Sequence, residues 1–289
     1  MPREKVILFD TTLRDGQQTQ GVDFSVQDKV NIANALDNIG IDYIEGGWPG
    51  ANPTDTKFFE NKNNFSNAKF TAFGMTKRSG RSADNDPQLR SLIDAHSDSV
   101  CLVAKTWDFH VDLALGISLE ENIEAIKDSV LSVKAGGKEP LIDCEHFFDG
   151  YKSNSEFSFK CIEAALESGA EWVVLCDTNG GTLPNEIFNI VEEITKKFPG
   201  DKIGIHCHND TENAVANSLA AIDAGARHLQ GTINGLGERC GNANLISIIP
   251  TLLLKKEYSD KYEISINANK LSELKNLSRL VDDILNKHP

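Results

Sequence analysis

The chain has 289 residues, and its 40% hydrophobic content is enough to bury one large core. Its 29 basic and 43 acidic residues give a formal net charge of −14, which disfavours nucleic acid and anionic membranes as partners. We find no secretory signal at the start and no apolar run of the roughly 20 residues that span a membrane, which predicts a cytoplasmic protein. The six cysteines have no CxxC spacing and predict reduced thiols.

Short β-rich runs alternate with amphipathic segments along the chain. The eight predicted strands are 6–9, 43–45, 70–73, 99–103, 140–144, 172–176, 202–206 and 228–231. Helix start signals, such as Ser25, Ser118 and Pro184, lie between them. Eight parallel strands joined by helical crossovers predict an α/β protein with a closed (β/α)8 TIM barrel. An open doubly wound sheet is the alternative, but residues 10–16 contain only one glycine instead of a nucleotide-binding fingerprint.

The alternation ends after about residue 256, so we predict that residues 1–256 form the catalytic barrel. Residues 257–289 are predicted to form a helical tail that begins a linker or subdomain. Leucines recur there at helical spacing, at Leu271, Leu274, Leu277, Leu280 and Leu285. We expect this tail helix to dock on an apolar surface.

Polar side chains follow most of the predicted strands at their carboxyl ends, where barrels carry their active sites. They are Asp10, Arg14 and Asp15 after the first strand, Glu45 after the second, Glu145 after the fifth, Asp177 and Thr178 after the sixth, and residues 234–244 after the eighth. On the seventh strand, His206 and His208 are two residues apart, so both imidazoles face one side. A carboxylate with two imidazoles is a suitable ligand set for Zn²⁺, Mn²⁺ or another divalent ion.

Each of these candidates also has a structural interpretation. A His-X-His pair on a strand is more often structural than metal-binding, and Arg14 beside Asp15 is also consistent with a solvated ion pair. Glu145 is compatible with a salt-bridged core acid, and Thr178 with a turn hydroxyl. Their shared position at a barrel mouth favours a functional role over a structural one, because a guanidinium there can hold a carboxylate or an enolate bidentately.

Three separated motifs resemble the signature regions of the isopropylmalate, homocitrate and citramalate synthase family, which are metal-dependent barrels of the DRE-TIM metallolyase type. The motifs are DTTLRDG at 10–16, HCHND at 206–210 and NGLGERCGNANL at 234–245. The stretches 44–53 and 175–184 most resemble the citramalate synthase branch. The resemblance covers essentially the whole of residues 6–255.

This resemblance implies a Claisen condensation of acetyl-CoA with a 2-oxo acid, followed by thioester hydrolysis. In the citramalate branch the 2-oxo acid is pyruvate, and the product feeds branched-chain amino acid biosynthesis. A divalent metal ion (Mn²⁺, Mg²⁺ or Zn²⁺), a homodimer and an additional C-terminal regulatory domain are also implied, and we expect this chain to lack the regulatory domain. The matching residues are Asp15, His206, His208 and Asn242 for the metal, Arg14 and Glu145 for catalysis, and Arg14, Gln18 and Thr178 for substrate.

Several points are open from the sequence. The alternatives are a 2-isopropylmalate or homocitrate synthase, a lyase or aldolase on the same metal barrel, and a catalytically inactive truncated barrel. No residue stands out as the base that removes a proton from acetyl-CoA. Phe73 and Val103, at strand ends, are expected to line a pocket for the methyl group of pyruvate.

Overall fold

The computed structural model describes residues 2–61 and 63–286. Its centre is a closed barrel of eight parallel strands that pair in chain order. The strands are β1 (Ile7–Asp10), β2 (Tyr43–Gly47), β3 (Lys69–Met75), β4 (Ser99–Lys105), β5 (Glu139–Glu145), β6 (Trp172–Asp177), β7 (Ile203–Cys207) and β8 (His228–Gly231). Pairing of Ile7 with His228 joins β1 to β8 and closes the barrel. The predicted (β/α)8 barrel is confirmed, and the open sheet is wrong.

One main helix follows each strand. These helices are α1 (Val26–Ile39), α2 (Pro53–Glu60), α3 (Pro87–Asp94), α4 (Leu119–Ala135), α5 (Phe147–Ser168), α6 (Pro184–Lys197), α7 (Ala214–Asp223) and α8 (Leu245–Leu254), and α9 (Leu271–Ile284) ends the described part. Ser25 caps α1 by accepting a hydrogen bond from the Asp28 N–H at 3.2 Å, and Ser118 caps α4 similarly. Within the described ranges, none of the helices is both long and apolar enough to cross a membrane.

Shorter helical segments occupy several loops. They are Asp108–His110, the π-helix Val111–Leu115, Lys256–Ser259, and the 3₁₀ turns Gly16–Gln18, Ala83–Asn85, Gly200–Lys202, Ile233–Gly235 and Ala268–Lys270. The turn Gly16–Gln18 directly follows the loop after β1, so it places Gln18 beside the barrel mouth.

The barrel interior changes from apolar to polar along the strands. One buried cluster inside it contains Phe9, Tyr43, Phe73, Cys101, Leu141, Trp172, Val174 and Cys176. Along β5 the inward residues are Leu141, Asp143 and Glu145, because alternate residues of a strand share a face. A larger apolar cluster packs the outer faces of the strands against the helices. The apolar layer therefore supports a polar layer at the carboxyl ends of the strands.

The tail packs against the barrel. Its short strand Tyr262–Glu263 pairs in parallel with Glu4–Lys5, just before β1. The buried residues Leu274, Leu277 and Val281 of α9 belong to the outer apolar cluster, so the tail helix docks on an apolar surface as expected. Residues 287–289 of the predicted tail lie outside the described residues. The division at residue 256 stays a prediction.

Candidate active site

A cavity of about 460 Å³ opens at the carboxyl ends of the strands. Seven predicted site residues line it, namely Arg14, Asp15, Gln18, Glu145, Thr178, His206 and His208. The eighth, Asn242, is buried beside them, and its Nδ2 donates to Asp15 Oδ2 at 2.9 Å. Barrel closure thus brings together predicted residues from β5, from β7 and from the loops after β1, β6, β7 and β8.

The local backbone directs the candidate metal ligands into this cavity. A tight turn follows β1, because the N–H groups of residues 14, 15 and 16 all donate to the Thr11 carbonyl oxygen. His206 lies on β7, whereas His208 lies one residue beyond the end of the strand and bridges to Asn242. The prediction that both histidines lie on the strand is wrong for His208. The two rings still share a side, with centres 5.1 Å apart.

Three donor side chains converge at this point. The ligand atoms of Asp15, His206 and His208 lie within 4.8 Å of one another, and Asp15 Oδ2 is 3.3 Å from His206 Nε2. Among the described residues, the buried Oδ1 of Asn242 has no hydrogen-bond partner, and Nδ2 occupies the side facing Asp15. Rotating this amide by 180° would present Oδ1 as a further oxygen donor. The orphaned oxygen and the mixed nitrogen and oxygen donors fit a divalent cation.

The protonation states suit a metal site. Burial would raise the pKa of Asp15, but the Arg14 charge and the two histidines hold it below its usual value. Burial lowers the pKa of His208 to about 3, and the nearby Arg239 charge acts in the same direction. The carboxylate is therefore ionised and the His208 imidazole neutral near pH 7, which are the forms that metals bind.

Arg14 is held rigidly at the cavity wall. Its Nε donates to Glu45 Oε2 at 2.7 Å and its Nη1 donates to Asp15 Oδ1 at 2.6 Å. The guanidinium carbon lies 3.7 Å from the centre of the Phe73 ring. Only 13% of the Arg14 side chain and 3% of the Asp15 side chain are exposed, so the solvated-pair interpretation is wrong. A guanidinium has five N–H donors, which leaves some for a bound anion.

Glu145 and Thr178 have structural partners but also line the cavity. Glu145 forms an ion pair with Lys105, and the Thr178 hydroxyl oxygen accepts from the His146 N–H at 2.8 Å. Glu145 is thus salt-bridged but is not a core residue, and the Thr178 hydroxyl bonds to a distant segment instead of its own turn. Both groups remain on the cavity surface.

Two polar residues inside the barrel, Asp143 and Gln230, were missing from the candidates predicted from sequence, and Glu45 was among those candidates without an assigned role. Burial raises the pKa of Glu45 to about 8 against the opposing charge of Arg14, and burial also raises the pKa of Asp143. Gln230, on β8, joins Asp143 to His206 through its side-chain amide. The strand alternation that places Asp143 on the same face as Glu145 is the signal that could have identified it.

The fold and the site together define the chain as a (β/α)8 barrel with a carboxylate and imidazole cluster suited to a metal at its mouth. The sequence model of the HMGL-like family matches residues 5–281. The chain belongs to this family.

Its relatives include synthases that are longer than this chain. The chain is 53% identical over 285 residues to the (R)-citramalate synthase of Aquifex aeolicus, and the aligned region covers 98% of this chain and 53% of the relative. It is 51% identical to that of Geobacter sulfurreducens, with the same two coverages, and 33% identical to the 2-isopropylmalate synthase of Sulfurisphaera tokodaii, with coverages of 97% and 69%. The chain thus spans about half the length of these citramalate synthases.

Solved structures show the same fold at low sequence identity. The HMG-CoA lyase from Brucella melitensis matches with a TM-score of 0.80 and 16% identity, covering 98% of this chain and all of that chain. The HMG-CoA lyase from Bacillus subtilis matches with a TM-score of 0.81 and 20% identity, covering 99% of this chain and 96% of that chain. These similarities show the barrel fold alone.

Proposed function

We propose that the chain is the catalytic barrel of an acyltransferase that condenses acetyl-CoA with pyruvate and releases citramalate and CoA. A carbon–carbon bond forms between the acetyl methyl carbon and the pyruvate carbonyl carbon, and water then hydrolyses the thioester. The observation that carries this proposal is the convergence of a metal-type cluster, Arg14, Glu145 and Thr178 on one cavity. The likeness to citramalate synthases supports the choice of substrates.

The proposed metal ligands are Asp15, His206, His208 and Asn242. The ionised carboxylate, the neutral His208 and the orphaned Asn242 oxygen support this assignment. When bound, a divalent ion such as Mn²⁺, Mg²⁺ or Zn²⁺ would hold the 2-oxo acid by its carbonyl and carboxylate oxygens and polarise the carbonyl.

Arg14 is proposed to stabilise the negative charge that develops on the carbonyl oxygen. Its ion pairs with Asp15 and Glu45 and its contact with Phe73 fix the guanidinium before substrate binds. A preorganised cation stabilises a transition state without rearranging during the reaction. Fixation by three neighbours therefore supports a catalytic role.

Thr178 and Gln18 are proposed to bind substrate. Because the Thr178 oxygen already accepts from the His146 N–H, its hydroxyl hydrogen can donate to the carboxylate of the 2-oxo acid. The Gln18 amide lines the same cavity and offers both donors and an acceptor.

Glu145 is proposed to act on the acetyl group. Enolisation of the thioester needs a carboxylate or another base near the methyl carbon. Glu145 lines the cavity with a side chain 26% exposed, and its ion pair with Lys105 orients it. We assign it the proton that leaves the acetyl methyl group.

An apolar wall favours a small 2-oxo acid. Phe73, Val103 and Trp48 line the cavity, and the Trp48 and Phe73 rings meet edge to face at 5.8 Å. This apolar wall suits the methyl group of pyruvate. The two residues expected to form the methyl pocket, Phe73 and Val103, are thus both on the cavity surface.

Thiol release from acetyl-CoA tests the proposal. The purified protein with Mn²⁺ or Mg²⁺ is assayed with pyruvate, 2-oxoisovalerate and 2-oxoglutarate. We expect release that depends on pyruvate, that disappears in His208→Ala and that persists in the matched control His96→Ala, whose side chain is exposed. Preference for another 2-oxo acid would refute the substrate, and cleavage of a hydroxyacyl-CoA without condensation would identify a lyase instead.

We further propose a cytoplasmic homodimer, as the family resemblance implies. The charge of −14 and the six free cysteines support a reducing aqueous compartment. Sedimentation equilibrium of the purified protein measures the assembly, and a monomer at all concentrations would contradict this proposal.

A further inference from the structure

Three side chains, joined by hydrogen bonds, cross the polar layer of the barrel beneath the candidate metal site. Gln230, on β8, is completely buried, and its Oε1 lies 2.7 Å from His206 Nδ1. Its Nε2 donates to Asp143 Oδ1 at 2.9 Å. Asp143 lies on β5, so this chain of hydrogen bonds exists only when the barrel is closed.

The chemistry of these groups fixes the direction of both hydrogen bonds. A glutamine amide has a donor end and an acceptor end. The carboxylate oxygen of Asp143 accepts, so the NH₂ end of Gln230 faces Asp143. With Asp143 ionised, the reverse orientation would bring two acceptor oxygens together with no hydrogen between them. The Gln230 oxygen therefore accepts from His206, and His206 must carry its hydrogen on Nδ1.

A hydrogen on Nδ1 leaves the lone pair of a neutral imidazole on Nε2. Nε2 is the His206 atom that lies 3.3 Å from Asp15 Oδ2, at the convergence of the candidate ligands. We infer that Gln230, oriented by Asp143, is a positioning residue that fixes the tautomer of His206 and keeps its Nε2 free for the metal. This inference rests on the proposed metal site.

His208 lacks an equivalent acceptor among the described residues. Its Nδ1 lies 3.3 Å from Arg239 Nη2, which can only donate a hydrogen bond. The effect of Gln230 should therefore be confined to His206, and His208 serves as an internal reference.

The tautomer can be read in the metal-free protein, apart from any activity. Nitrogen-15 NMR of histidine-labelled protein is recorded at about pH 9, well above the ordinary histidine pKa. We expect His206 to show a protonated Nδ1 and an unprotonated Nε2, with its signals assigned by their loss in His206→Asn. In Gln230→Leu these His206 signals should shift towards a tautomer mixture while those of His208 stay unchanged. A protonated Nε2 in the unsubstituted protein would overturn the inference.

Metal affinity provides the second readout, by calorimetric titration with Mn²⁺ or Zn²⁺. Loss of a partner that orients a metal-binding histidine typically weakens metal affinity about 10–100-fold, which is the change expected for Gln230→Leu. Gln230→Glu combined with Asp143→Asn should restore most of the affinity, because one glutamate oxygen accepts the same Nδ1 hydrogen while the other accepts from the new amide at position 143. The control Thr71→Val removes another buried hydrogen bond inside the barrel, to Ser99, and should leave the affinity unchanged.

Equal affinities for Gln230→Leu and the unsubstituted protein would overturn the positioning role. An equal loss in Thr71→Val would do so as well, because it would indicate a general loss of packing. If the unsubstituted protein binds no divalent metal, the proposed metal function fails, whereas the NMR result still decides the tautomer.

Discussion

Replacing Lys29 with methionine removes the cation of a buried ion pair that supports two loops beside the site. Lys29, on α1, is completely buried, and its Nζ contacts Asp55 and donates to the carbonyl oxygens of Leu13 and Gly46 at 2.8 and 3.0 Å. Asp55 in turn accepts from the Trp48 N–H at 2.8 Å. The pair thus joins the loop after β1, which holds Arg14 and Asp15, to the loop after β2.

The expected cost of Lys29→Met is large because Asp55 is left as an uncompensated buried charge. Removing one partner of a buried ion pair typically costs about 3–5 kcal/mol, and the freed carbonyl oxygens contribute to that total. With a urea dependence of about 3 kcal/mol/M, the unfolding midpoint should fall by roughly 1–1.7 M. The matched control Arg90→Met breaks the exposed pair with Asp94, whose side chains are 65% and 57% exposed, and should cost less than about 1 kcal/mol.

Urea unfolding, monitored by circular dichroism, measures the unfolding midpoint of both variants. The double variant Lys29→Met with Asp55→Asn should recover part of the lost stability, because it leaves no unpaired charge. If Lys29→Met unfolds at the same urea concentration as Arg90→Met, the buried pair of Lys29 and Asp55 contributes no more to stability than an exposed pair.

Three further predictions concern pH, catalysis and specificity. Burial raises the pKa of Asp10 to about 7, so its proton stabilises the native state fully below about pH 4 and this stabilisation is lost as pH rises through 7. Between pH 4 and 8, the free energy of unfolding of Asp10→Asn should therefore rise by up to about 4 kcal/mol relative to that of the unsubstituted protein. Urea titrations measure both values, and an equal pH dependence of the two proteins would contradict this prediction. Glu145→Gln should lower kcat for thiol release about 100-fold or more and leave calorimetric Mn²⁺ affinity unchanged, and an unaltered kcat would remove Glu145 from the mechanism. Val103→Ala should shift kcat/KM from pyruvate towards 2-oxobutanoate by roughly 10-fold, a change of about 1.4 kcal/mol, whereas an unchanged ratio would exclude Val103 from the pocket.

The barrel could be predicted because each of its strands is marked by a short local pattern in the sequence. Each strand lies within two residues of its predicted limits, since an apolar run between polar helix starts is visible in a short window. The polar residues after these runs could be placed at one edge, because parallel strands in a barrel point the same way. That reasoning correctly brought Asp15 to His206 and His208.

The contacts that complete the site depend on closure and could not be predicted. Gln230 and Asp143 are 87 residues apart, and Gln230 meets Asp143 only across the barrel interior. The position of Asn242 depends on the chain after β8 returning alongside β7, where the Ala243 N–H donates to the Cys207 carbonyl oxygen at 3.0 Å. His208 lies in this bridged segment, which is why it falls beyond the strand. Such pairings arise from tertiary packing, and no local pattern encodes them.

We expect the cluster of Asp15, His206 and His208 to bind a divalent cation to which a 2-oxo acid then binds. Water-proton relaxation in a Mn²⁺ titration measures this directly, because bound Mn²⁺ and its coordinated water both affect the signal. We predict one Mn²⁺ site that is lost in His206→Ala and His208→Ala, with an enhancement that changes on adding pyruvate but not acetate. Mn²⁺ binding by both histidine variants equal to that of the unsubstituted protein would show that these residues are not the ligands, and no response to pyruvate would show that the ion does not bind the 2-oxo acid.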